Sequence, residues 1–176
     1  MSLTVLLIVF ILALIGTDQL VKYWAVHELL PVGTMKFIHF GNFRILDLTY
    51  LENDGAIFGS MSGQRWFLIG FTALVLIGGT VYLFANKRGS KFLNITLAMF
   101  IAGGFGNLVD RIRQGYVVDM FEVKLFKFAI FNVADIYVTC AFVMLIVYGI
   151  FLDKSANAKA AANVAADSKG FADDNE

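Results

Sequence analysis

Cysteine, proline, histidine and charge are all scarce in this chain, and each scarcity closes off a kind of chemistry. Cys140 is the single cysteine of 176 residues and sits inside an apolar run, so no intramolecular disulfide can form and the thiol reads as packing. HELLP at 27–31 begins like the zinc-binding HExxH pattern, but Pro31, the only proline, occupies the second ligand position. The other histidine is His39, which leaves too few ligands for a zinc site. GSMSG at 59–63 has the outline of a serine-hydrolase elbow, with Met61 where the nucleophile would stand. No metal and no cofactor is expected. Charged residues make up 16% of the chain and the formal net charge is zero, which leaves no basic footprint for nucleic acid.

What is abundant is apolar. Hydrophobic residues reach 59% and the mean hydropathy is +0.73, against about 45–50% apolar content in an ordinary soluble domain. The solvent of this chain is therefore lipid. Four segments approach the roughly 20 apolar residues that a membrane-spanning helix needs: 3–25, 66–85, 92–109 and 131–152. The first has no basic start and no small-x-small site behind it, so it reads as a retained span and not a cleaved leader. Trp24 and Trp66, near span ends, read as interfacial anchors.

Between the spans lie two longer loops, 26–65 and 110–130. The first contains strand-like FRILDLTYL and a turn signal, NDG at 53–55; the second contains VVDMFEVKLF, where apolar Phe121, Val123 and Leu125 alternate with Glu122 and Lys124. Open backbone cannot face lipid, so these strands must lie at the membrane surface or against protein. Residues 153–176 are Ala-rich and polar and read as a disordered or loosely helical tail. Four spans put both termini on one side. The short connection NKRGSK holds Lys87, Arg88 and Lys91 without an acid, which favours a cytoplasmic position for it and for the termini, although the basic residues counted over whole loops do not decide the matter.

The polar residues that a packing-only bundle would avoid converge. Asp18 and Lys22 fall late in the first span, Asn107, Asp110 and Arg111 end the third, Asp119 follows in the loop, and Asn132 with Asp135 opens the fourth. The first and third spans run one way and the fourth runs back, so all of these groups meet at one membrane face. Ionisable groups at membrane depth are costly and mark sites or pathways. Asp18 and Lys22, four apart, share a helix face and can pair, either as an anchor for the helix end or as part of a site. Two carboxylates brought together out of water tend to share a proton, one serving as base and the other as acid. Asp119 and Asp135 are the candidates. The structural alternative for Asp135 is a cap or a macrodipole partner at a helix start. Ala98, Ala102 and Gly106 form a small-residue stripe on which another helix can pack closely.

These stretches carry a family resemblance. DQLVK at 18–22, NDGAIFG at 53–59, AGGFGNLVDR at 102–111, VVDM at 117–120 and FNVAD at 131–135 stand in the order and approximate spacing of bacterial lipoprotein signal peptidase, signal peptidase II. The resemblance implies an all-α membrane protein of four transmembrane helices with a small extracytoplasmic β element on the membrane surface. Residues 1–152 would form the peptidase domain and 153–176 a cytoplasmic tail. It implies an aspartic endopeptidase of the bacterial inner membrane, both termini cytoplasmic and the active site near the outer leaflet. Its partners would be diacylglyceryl-modified prolipoproteins, cut just before the lipidated cysteine, and membrane lipids, with no obligate protein partner. The catalytic pair falls on Asp119 and Asp135. Asn53 and Gly55 fall on the loop lining the substrate groove, and Asn107, Asp110 and Arg111 on the polar cluster that steadies the site. Asp18 and Lys22 support that cluster, Gly103 and Gly106 belong to the glycine-rich motif, and Asn132 precedes the second aspartate. Ala134, being small, would leave room for substrate backbone. Met120, the run Ala102–Gly103–Gly104 and Ile136 depart from the residues usual in the family, at the level of side-chain volume.

Two readings of another class compete. A small ion carrier would spread polar groups across the membrane depth, whereas WFLIGFTALVLIGGTVYLFA at 66–85 holds no ionisable residue. A non-catalytic scaffold would tolerate loss of either aspartate. The GxGD signature of presenilin-like proteases is missing, its nearest counterpart being GFGN at 104–107. Five residues along a helix turn about 140°, which predicts that Cys140 points away from Asp135.

Overall fold

The computed structural model describes residues 2–55, 61–86 and 90–152. Four helices are long and apolar enough to cross a membrane. The first, α1, runs from Leu3 to Trp24, starts where the Ser2 hydroxyl accepts the Val5 N–H, and continues through a wider π-helical turn, Ala25–Leu29. α2 covers Arg65–Ala85 and α3 Lys91–Arg113, the latter capped by Ser90, whose hydroxyl accepts the Leu93 N–H at 3.1 Å. α4 covers Val133–Val147 and also loosens into a π-helical turn, Tyr148–Leu152. The helices thus match the four apolar segments, with α1 extending a turn beyond its expected end and α3 running on to Arg113.

α3 is the axis of the bundle, lying against each of the other three helices. Half of its spanning window is buried, against 11–17% in the others. Its small residues permit this. Ala98 and Ala102 are fully buried, and with Leu7, Ile11, Leu83 and Ile101 they form one apolar cluster. A Cβ on Gly103 would lie 2.5 Å from the Ala134 carbonyl oxygen and one on Gly106 3.3 Å from the Ala134 Cβ, so these two glycines seat α4 directly on α3. The outward faces carry Leu12, Leu74 and Phe142, each more than 60% exposed, as lipid contact requires.

Above one end of the bundle lies a three-stranded antiparallel sheet, β1 (Thr34–Phe40), β2 (Phe43–Asn53) and β3 (Val117–Val123), in that order. The β1–β2 hairpin closes through Gly41, whose φ of +59° is the left-handed geometry a tight hairpin loop demands. Leu48, Val118 and Met120 face down onto Ala25 and Leu29. β1 has no alternating pattern and every residue of it is exposed, so only its pairing with β2 makes it a strand. The expected tail at 153–176 and Lys87 and Arg88 of the short connection lie outside the described residues.

Candidate active site

Register builds the site. β2 and β3 pair with Leu51 opposite Asp119 and Asn53 opposite Val117, which brings the end of β2 to Asp119. There the Asn53 side-chain N–H donates to Asp119 Oδ2 at 2.8 Å, while Asn53 Oδ1 accepts the Gly55 N–H at 3.1 Å. NDG is thus a turn closed by its own asparagine. Asp119 Oδ1 accepts from Asn132 Nδ2 at 2.6 Å.

Asn132 joins the two candidate acids. It caps α4: its Oδ1 accepts the Asp135 N–H at 3.0 Å, and its own N–H donates to Asp135 Oδ2 at 3.0 Å, a reciprocal capping box. The other oxygen of Asp135 accepts from Asn107 Nδ2 at 2.8 Å. Asp135 therefore is a helix cap, as its position in the sequence allowed, and it also stands beside the second carboxylate. Asp119 is only 1% exposed. Burial pushes its carboxyl up to about 6, aided by the charge of Asp135 and opposed by the hydrogen bonds from Asn53 and Asn132.

Beneath the pair lies an ionic layer. Lys22 contacts Asp18 at 2.9 Å, Asp110 at 2.7 Å and Asn107 Oδ1 at 2.8 Å. Asp18 also accepts the Ala134 N–H at 2.9 Å, which ties α1 to the start of α4. Gln19, which the sequence reading passed over, donates to Asp110 at 2.9 Å and to the Gly106 carbonyl at 3.3 Å. The signal for it was its place in DQLVK, beside Asp18. Arg111 donates to the Gly55 carbonyl at 2.7 Å and so holds the end of the first loop. Arg65, also unforeseen, reaches the last carbonyls of α3 at Arg111 and Ile112 and passes over Gly115, whose φ of +94° lets the chain turn away after the helix.

A cavity of about 570 Å3 opens beside this network. Asn53, Asn107, Arg111, Asp119, Asn132 and Asp135 line its polar end, and Phe71, Leu76, Phe100, Ile136 and Thr139 its apolar remainder. Of the remaining expected site residues, Asp18, Lys22, Gly103, Gly106 and Asp110 are not on its wall, and they support it from behind; Gly55, expected on the groove-lining loop, is also off the wall, where Asn53 and Arg111 hold it. Ala134 is corrected in this respect. It is fully buried against α3 and leaves its space to a helix contact and not to a substrate backbone. Cys140 is corrected too: it is exposed and lines the same cavity. The wall follows the helix surface through Ile136 and Thr139, one turn apart on a face between the two residues, and so wraps around α4 from Asp135 to Cys140. Met120 lies in the sheet core, whereas Ile136 and Gly104 face the cavity. Among the described residues no cluster of His, Cys, Asp or Glu has metal-binding geometry.

A bundle of apolar helices with a polar, carboxylate-bearing cavity at one end defines a multi-pass membrane enzyme. Two solved chains share the fold: a bacterial membrane enzyme determined in meso at 2.3 Å, with a TM-score of 0.76 at 25% identity over 88% of this chain and 93% of that one, and another at 1.9 Å, with a TM-score of 0.73 and 25% identity over 85% and 96%. The sequence model of signal peptidase II matches residues 10–151, and the chain belongs to that family of proteases. It is 43% identical to the lipoprotein signal peptidase of Streptococcus thermophilus strain CNRZ 1066 over 78% of this chain and 88% of that protein. It is 41% identical to that of Lactococcus lactis subsp. lactis strain IL1403 over 84% and 94%.

Proposed function

We propose that this chain is an aspartic endopeptidase that removes signal peptides from prolipoproteins bearing a diacylglyceryl-modified cysteine, cutting just before that cysteine, with Asp119 and Asp135 as the water-activating pair. The observation that carries this reading is the bridge through Asn132. One residue donates to Asp119 and cradles Asp135, at the mouth of a cavity that is polar at one end and apolar along the rest. The substrate class follows from the relatives named lipoprotein signal peptidase. A lipidated peptide has the same two-part character as the cavity.

The chemistry follows from a pair holding one proton. The ionised carboxylate takes a proton from water as its oxygen attacks the scissile carbonyl carbon, while the protonated partner donates to the carbonyl oxygen. The tetrahedral intermediate collapses: the C–N bond breaks, the proton taken from water passes to the leaving amine, and one hydroxyl proton returns to the carboxylate that had protonated the carbonyl oxygen, so the pair again holds one proton. The asparagine N–H donors hold both carboxylates in place throughout. The site lies at the outer leaflet of the bacterial inner (cytoplasmic) membrane, both termini are cytoplasmic, and residues 153–176 are a cytoplasmic tail outside the peptidase domain. No protein partner is needed for turnover.

The test is cleavage by purified protein in detergent of a diacylglyceryl-modified prolipoprotein and of its unmodified form. Only the first should be cut. Asp119→Asn and Asp135→Asn should each lower the rate by about a thousandfold or more while the fold survives, and the double variant should be little worse than either, because the two act as a unit. Asp18→Asn should be less damaging to turnover and more damaging to thermal stability. Equal cleavage of both substrates would overturn the lipid requirement, and near wild-type turnover by either single variant at 119 or 135 would overturn the pair.

A further inference from the structure

Three asparagines surround the pair, and each has its carbonyl oxygen committed to a donor, which leaves its amide N–H groups for a carboxylate. Asn53 Oδ1 accepts the Gly55 N–H and Asn132 Oδ1 accepts the Asp135 N–H, so backbone sets both orientations. Asn107 differs. Its Oδ1 accepts from Lys22 Nζ at 2.8 Å and from Asn132 Nδ2 at 3.2 Å. The strong, charged donor that fixes it therefore comes from another helix. A lysine ammonium has three N–H groups and no acceptor. Lys22 Nζ lies within ion-pair distance of Asp18 and of Asp110 and donates to Asn107 Oδ1, and its side chain is 4% exposed. An ion pair serving α1 alone would need only the first of these. A flipped Asn107 amide would set its NH2 against the Lys22 ammonium, two donors facing each other, and its oxygen against the Asp135 carboxylate, two acceptors facing each other.

We propose that Lys22 is a positioning residue for catalysis: by locking the Asn107 amide with its nitrogen toward Asp135, it sets the pH range in which the pair holds its working proton. This rests on the reading of Asp119 and Asp135 as the catalytic pair. The groups facing that pair are Lys22 of α1 with its partner Asp18, Asn107, Asp110 and Arg111 of α3, Asn53 of β2, and Asn132 of α4. Lys22 and Arg111 are the cations among them. The direction is set by charge. Burial pushes the Asp119 carboxyl up to about 6, and the positive charge of Lys22 pulls the other way. Without Lys22 that pull is lost and Asn107 is free to turn, so the pair keeps its protons to higher pH. A pair that works with one proton then loses activity first on the acid side.

The experiment is kcat/KM against pH for wild type, Lys22→Met, Asn107→Ala and the combination. Lys22→Met should move the acid limb to higher pH, so that the ratio of activity at pH 6 to activity at pH 8 falls about tenfold. Asn107→Ala should move it the same way, and the combined variant should shift it by clearly less than the two single shifts together, since only the lysine's through-space pull is left to lose once that amide is gone. If Lys22→Met does not fold because Asp18 and Asp110 lose their counter-ion, Lys22→Met with Asp110→Asn removes one charge of each sign from the layer and takes its place. Uniformly reduced activity with an unmoved profile, or shifts that simply add, would overturn the proposal and leave Lys22 a structural residue. Failure of the catalytic-pair reading is a separate result, seen as retained turnover by Asp119→Asn or Asp135→Asn.

Discussion

At Gly106 three helices come within a side chain's width of one another. A Cβ there would sit 2.5 Å from Asp18 Oδ2 and 3.3 Å from the Ala134 Cβ, so a methyl group would push Asp18 off the Ala134 N–H at the very start of α4. Gly104, two residues away, faces a different neighbour. Its added Cβ would meet the Leu76 side chain at 2.6 Å, and Leu76 Cδ2 can rotate aside. Gly106→Ala should therefore cost about 1–3 kcal/mol of stability and slow cleavage as well. Gly104→Ala should be near neutral, because the helix-propensity gain of about 1 kcal/mol offsets the local adjustment. Thermal unfolding of both variants in one detergent, with the cleavage rate measured alongside, checks this; equal unfolding temperatures would refute it. A one-letter sequence shows that both positions are glycine, but not that one abuts a buried carboxylate and the other a movable leucine.

At the scale of the element, α4 carries two functions on one length of helix. Its first turn is a capping box that also presents Asp135 to the cavity, and its middle is cavity wall as far as Cys140. Helical periodicity correctly gives the angle between Asp135 and Cys140. It cannot say how far around the helix the neighbouring elements leave an opening. Because α2 and α3 leave that groove open, a bulky membrane-soluble maleimide should react with Cys140 and block cleavage in the wild type, while Cys140→Ala should cleave normally and resist the reagent. Unimpaired cleavage by fully labelled wild type would place the thiol outside the substrate path. The strands show the same limit. Only the Phe121–Val123 end of β3 was legible from alternation, since Val117–Met120 are all buried, and FRILDLTYL was legible from its β-rich composition, whereas β1 has no buried face to imprint a period and exists only as the partner of β2.

For the whole molecule, the sheet, the ionic layer and both aspartates occupy one end, and Ser90 with Lys91 at the start of α3 occupies the other. A reporter fused after Lys91 should therefore read as cytoplasmic, and one inserted at Gly41, in the exposed β1–β2 loop, as external. The reverse pattern would put the proposed site on the wrong side of the membrane for a signal peptide that has already crossed it.

The four spans, their order and the gathering of Asp18, Lys22, Asn107, Asp110, Asp119 and Asp135 at one face were determined by the sequence itself. Lipid imposes a length on each apolar run, and alternation of direction then leaves no freedom about which ends meet. What only the tertiary structure decided is which atoms meet. Asn132 bridges the two carboxylates, Lys22 reaches past its helical partner Asp18 to Asp110 and Asn107, Ala134 is consumed by packing on α3, and Gln19 enters the polar layer. Those outcomes depend on helix rotation and strand register, which shift contacts by a few ångströms without changing any hydrophobic pattern, and hydrogen bonds are decided at that scale.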